Sequence, residues 1–165
     1  MAMEIMTWLI AIPLLGIVTG MRSMTAMAVL CWFAYLGHLP VDETWAFWTA
    51  KLVTAVIFTV LAAAELIADK LPATPDRIAL GPLMARLCLA VLVGAVVAAG
   101  LDGPGVEGVI LSVLGMLVGA YGGFLARRDL VQRLRWKDWH VAVVEDAIAV
   151  ACAVLGDCGA RMLRV

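Results

Sequence analysis

Five ionisable side chains stand where the surrounding sequence is almost wholly apolar. Arg22 lies in Gly20-Met-Arg-Ser23, and Thr19, Ser23 and Thr25 add hydroxyls nearby. Glu65 and Asp69 are one helical turn apart and share a helix face. Glu145 and Asp146 sit side by side inside another apolar run. A guanidinium removed from water needs an anionic partner, and the carboxylates are the available ones. One reading is a structural ion pair that clamps helices together. The other is a polar path, with a buried site near the membrane midplane, lined by Arg22, Ser23, Glu65, Asp69, Glu145 and Asp146. In that path Arg22 binds an anionic group or gates passage, and the carboxylates act as counter-charges, proton relays or cation ligands.

A second cluster follows the first pair of carboxylates. In Glu65–Arg77, Pro72 and Pro75 hold an extended turn, and Asp69, Lys70, Asp76 and Arg77 present charge. This is either a rigid basic loop or an anion site in which Lys70, Arg77 and Arg86 bind a lipid headgroup. Lys70 and Arg77 match half of a lipid-phosphatase signature, but Ile78 replaces its proline and the remaining catalytic elements are missing. There is no Walker loop, nucleophile elbow or zincin helix either. No catalytic residue, metal or cofactor is therefore expected. Cys31, Cys88, Cys152 and Cys158 read as small packing residues, and His38 and His140 lack metal-ligand spacing.

The composition states what must position these groups. The chain has 165 residues, 64% hydrophobic and 15% charged, with a mean hydropathy of +1.02. That is too apolar for one soluble core, which must cover itself with polar surface. Twelve basic against thirteen acidic residues exclude a nucleic-acid binder driven by net charge. The expected class is an all-α polytopic membrane protein, one transmembrane domain over residues 1–165. About five segments approach the 20 apolar residues a span requires. They run from Thr7 to Tyr35, Phe47 to Ala68, Leu80 to Ala99, Val106 to Ala126, and Trp139 to about Leu155.

Loop charge sets an expected orientation. Asp69–Ala79 and Arg127–Asp138 carry Lys70, Arg77, Arg127, Arg128, Arg133, Arg135 and Lys137, whereas Gly37–Ala46 and Gly100–Gly105 carry no Lys or Arg. With five spans this predicts a cytoplasmic N-terminus and an external C-terminus. Trp32, Tyr35, Trp45 and Trp48 then fall at the outer interface, and Trp8, Trp136 and Trp139 at the inner one. The opening MAMEIM has no basic region, so the first segment is expected to be retained as a helix.

Two features concern the helices themselves. Leu14–Gly20 lies over Val113–Gly119, matching Gly16 to Gly115 and Gly20 to Gly119. Repeats at 7–70 and 106–161, inverted around a linking helix, are one explanation, and common small-residue packing is the other. The first segment is also too long, since its roughly 29 residues would rise about 43 Å against a core of about 30 Å. Tilt absorbs that excess, or the helix breaks near Gly16–Gly20.

The combination of Gly20-Met-Arg-Ser23, Glu65…Ala68-Asp69-Lys70-Leu71-Pro72…Pro75-x-Arg77, a Gly-rich fourth helix ending in Arg127, and Glu145-Asp146 resembles the bacterial membrane family filed as domain of unknown function 4126. The resemblance covers nearly the whole chain. It implies a small inner-membrane protein and supplies no activity or catalytic residue. The residues favour a transporter or channel for a small ion or metabolite, oligomeric and most simply dimeric, in contact with membrane lipid. The alternatives are a lipid-active protein holding a phospholipid or polyprenyl-phosphate headgroup at the inner leaflet, and a structural subunit that transports nothing.

Overall fold

The computed structural model describes residues 2–68 and 80–134, with side chains over 9–68 and 80–125. All regular structure among the described residues is helical. The helices are α1 (Ala2–Met21), α2 (Ser23–Tyr35), α3 (Leu52–Ala68), α4 (Leu80–Gly100) and α5 (Gly105–Leu134), with a 3-10 turn at Phe47–Ala50 before α3. The expected segment from Leu80 is met nearly residue for residue, while that from Phe47 is a 3-10 turn, an extended Lys51 and the 17-residue α3. The fourth runs on as helix to Leu134, past its expected end near Ala126, because Phe124–Leu134 contains no Gly or Pro. The fifth segment, with Glu145 and Asp146, lies outside the described residues.

The first segment is two helices. Arg22 alone separates them, in an extended conformation (φ −145°, ψ 95°). The break is two residues beyond the expected Gly16–Gly20, because those glycines serve packing. A Cβ on Gly16 would strike the Ser112 carbonyl of α5, and one on Gly20 the Met116 carbonyl. α2 ends at a left-handed Gly37 (φ 73°), where Gly37 N–H donates to Ala34 O (3.0 Å) and His38 N–H to Phe33 O (2.9 Å). These paired bonds satisfy the last carbonyls and stop the helix.

Contacts give the helix directions. Ile12 reaches Gly108, Gly16 lies on Ser112 and Gly20 on Met116, so α1 and α5 run the same way. α4 and α5 run oppositely: Gly94 lies on Gly108, and buried Ser112 Oγ donates to Ala90 O (2.8 Å). α2 and α3 are also opposed, with Trp32 Nε1 donating to Thr59 Oγ1 (2.9 Å) and Ser23 meeting Glu65. Gly100, ending α4, packs on Leu39 and Val41 just past α2. α2 therefore leads back from Arg22 to the end where α1 began.

This extra reversal corrects two expectations. α1 starts at the end holding the 36–51 connection and the 101–104 turn, opposite the Ala68 and Leu80 ends that flank the basic 69–79 segment. It was expected beside that segment. Position 8 goes with it, to the end that carries Trp45 and Trp48. The matched glycines of α1 and α5 also lie on parallel helices, so this pair is not inverted. Counting the first segment as one span missed a turn made by a single residue.

The α1–α5 contact has its own regularity. Gly16 faces the Ser112 carbonyl and Gly115 faces that of Pro13; Gly20 faces Met116 and Gly119 faces Ile17. Shifting by 99 positions carries Gly16 to Gly115 and Pro13 to Ser112, and does the same for the second pair. Each contact thus recurs with its roles exchanged. That is local two-fold symmetry about an axis along the helices, of the kind seen where small residues let backbones approach.

A core of Ile12, Leu15, Val18, Met27, Leu30, Val93, Val96 and Val97 joins α1, α2 and α4. The outside is apolar as well. α3 buries only Ala55 and Ala62, seven residues apart, and exposes Val53, Ile57 and Val60 by half or more. α5 exposes Val106, Ile110, Leu114 and Val118 likewise. Helix α4 and residues Gly105–Leu125 of α5 are each long and apolar enough to cross a membrane, while α2, α3 and Leu9–Met21 are shorter apolar helices. Within this packing Ser112→Ala should cost about 1 kcal/mol, since it deletes one neutral bond whose acceptor keeps its helical donor. Thermal unfolding in detergent reads this, and an unchanged midpoint would mean that the bond contributes nothing.

Candidate functional site

The break at Arg22 leaves the first amides of α2 without helical acceptors. The residue at the cap position cannot help, because a guanidinium has donors only. Ser, Thr, Asp or Asn usually accepts these bonds from the cap position itself. Here the acceptor comes from another helix, 42 residues away in sequence. Glu65 Oε1 accepts from Ser23 Oγ (2.8 Å) and Ser23 N–H (3.2 Å), and Oε2 accepts from Met24 N–H (2.9 Å). The carboxylate therefore sits at the positive end of the α2 dipole, where a negative charge is favoured. Ser23 is buried and Glu65 half-buried.

Arg22 is 1% exposed and is the largest fully buried side chain among the described residues. It is engaged by a partner, as is Arg86. Its backbone closes α1, with Arg22 N–H donating to Val18 O (2.6 Å), and opens α2, with Ala26 N–H donating to Arg22 O (3.4 Å). Thr19 is buried and donates back to Leu15 O (2.8 Å), so its hydroxyl is satisfied inside α1.

Of the expected path residues, Arg22, Ser23 and Glu65 come together at one end of the bundle. The hydrogen bonds of Glu65 go to α2, which the expectation of an Arg–carboxylate pair did not include. Met24 was missed because its contribution is a backbone N–H, which no residue type signals. Asp69, Glu145 and Asp146 lie outside the described residues, as do Lys70 and Arg77 of the anion cluster. Arg86, the third member of that cluster, is 5% exposed. It is buried in the bundle, one turn from Ala90 toward the Arg22 end. The apolar run from Leu80 to Ala99 already spanned it, and packing drew it in with its neighbours. Among the described residues no three metal-ligating side chains gather.

The arrangement thus combines a discontinuous helix, its N-terminal amides, a buried guanidinium in the break and a carboxylate from a third helix. A helix N-terminus of this kind accepts anions. Its internal anion is a side chain near the end of α3, so the acceptor can be exchanged only if Glu65 moves. Comparison with family models, curated proteins and solved structures finds no match to this chain.

Proposed function

We propose that the chain is a multi-pass protein of a bacterial inner membrane that conducts or carries a small ion or metabolite. The observation that carries this reading is the one-residue break at Arg22, with the α2 amides held by Glu65 of α3. Broken helices whose N-termini point at an anionic group form the binding elements of many transporters. They are tolerated at membrane depth only where protein or water surrounds them. The apolar outer faces of α3 and α5 support a lipid surround, since a soluble monomer rarely exposes contiguous patches of this extent. In this reading Glu65 occupies the anion position at rest. An incoming anion displaces it from Ser23 and Met24. The end bearing Arg22, Ala68 and Leu80 faces the cytoplasm, and α1 starts on the outer side.

Flux in proteoliposomes tests the proposal. Arg22→Ala should abolish ion or metabolite flux while the protein still inserts and purifies as a folded species. If Arg22→Ala lowers expression and thermal stability yet leaves flux per inserted molecule unchanged, Arg22 is a clamp and not part of the path; if wild type gives no flux above empty liposomes, the transport reading fails.

A further inference from the structure

At the end opposite Arg22, a groove of about 670 Å³ opens between the α4–α5 hairpin and the connection that follows α2. Its floor is small and apolar, formed by Ala95, Ala99, Val109 and Ile110. Its mouth holds Trp45, which is 52% exposed, and Asp102, the one charged residue in the lining. We propose that this groove binds a membrane lipid with an ammonium headgroup, the acyl chain along the floor and the ammonium between Asp102 and Trp45.

Three observations converge on a cation at the mouth. Asp102 follows the end of α4 with φ 51°, and Gly103 N–H closes the turn onto Ala98 O (2.9 Å). That position is ordinarily glycine, with Asp and Asn the side chains that best tolerate it. A carboxylate there is disfavoured by the negative end of the α4 dipole. An ammonium at the mouth relieves this by facing both the carboxylate and the helix end. Trp45 supplies an aromatic face, which attracts the same charge. The apolar floor fits a hydrocarbon tail. From Asp102 to Ala95 the helix descends about 10 Å, enough for the upper part of an acyl chain. An anionic lipid would meet repulsion from Asp102.

The proposal rests on the membrane reading above, and the test separates the two. The full chain, recovered from the membrane fraction, is titrated in mixed micelles with phosphatidylethanolamine or phosphatidylglycerol of equal chain length, and bound lipid is counted by native mass spectrometry. Phosphatidylethanolamine should bind at least tenfold more tightly than phosphatidylglycerol. Asp102→Asn keeps a residue that tolerates the left-handed turn and should remove that preference. Ala99→Phe fills the floor and should reduce binding of both lipids, which keeps the test usable if the first variant folds poorly. Equal binding of the two lipids by wild type, or a preference unchanged in Asp102→Asn, overturns the groove assignment and leaves the membrane reading standing. A chain absent from the membrane fraction overturns both.

Discussion

Glu65→Ala should destabilise the protein by about 2–4 kcal/mol, far above the roughly 0.5 kcal/mol typical of surface changes. The substitution removes the acceptor of two backbone N–H groups and one hydroxyl at the start of α2. Losing an ordinary cap costs about 0.5–2 kcal/mol. Here three donors lose their partner together, and Ser23 is buried, so water replaces the carboxylate poorly. Half-burial of Glu65 keeps the figure below the sum of three fully buried losses. Glu65→Gln keeps one carbonyl oxygen and should fall between the two, by about 1–2 kcal/mol, since it loses the charge at the helix dipole as well. Thermal unfolding in detergent gives the order wild type, Gln, Ala. Amide exchange at Met24 should accelerate in the Ala variant, which locates the effect at the cap. An Ala variant as stable as wild type, with Met24 still protected, would show that the three bonds are not formed.

The same variants separate the functional reading from a structural one. If Glu65 is only a cap, Glu65→Gln lowers stability a little and leaves flux per folded molecule intact. If Glu65 must leave α2 for an ion to enter, Gln weakens the resting bonds and alters flux out of proportion to stability. That contrast bears on the Arg22 result, because both groups act on the first turn of one helix.

Much of the scaffold was legible because hydropathy is a local property. Leu80–Ala99 and Phe47–Ala68 were bounded by their apolar runs, and α4 and the turn-plus-helix at Phe47–Ala68 follow them. The excess length of Thr7–Tyr35 was legible too, as rise per residue against membrane thickness. Its resolution was not. Glycines were the natural place to break a helix, yet Gly16 and Gly20 are spent on backbone contact with α5. The chain turns instead at Arg22, whose cap is supplied from a distant helix. Direction was illegible for a related reason. A small-residue stripe reads the same on parallel and antiparallel partners, so the match of Gly16 to Gly115 and Gly20 to Gly119 said that the helices were alike and not how they ran. Arg22, Ser23 and Glu65 could be named from charge inside apolar sequence. The bonds from Glu65 to α2 could not, because two of the three donors are main-chain amides.

That glycine contact carries the other large expected effect. Gly119→Ala places a Cβ against the Ile17 carbonyl, and Gly16→Ala places one against that of Ser112. The obstacle is backbone in each case, so no rotamer change relieves it. The helices must separate, and the packing on either side of the contact loosens with them. Such overpacking should cost roughly 2–4 kcal/mol, at or above the upper range for a core. Gly122 supplies the control: a Cβ there meets nothing, so Gly122→Ala should be neutral or stabilising by up to about 1 kcal/mol through helix propensity. The role-exchanged contacts add a sharper expectation. Gly16→Ala and Gly115→Ala should have similar effects, as should Gly20→Ala and Gly119→Ala. The double variant at Gly16 and Gly115 should cost less than the sum of its parts, because helices already parted for one methyl have room for the other. Unfolding midpoints in detergent give all of these values. Full additivity would mean that the two glycines do not share an interface, and the parallel pairing of α1 with α5 would fall with it.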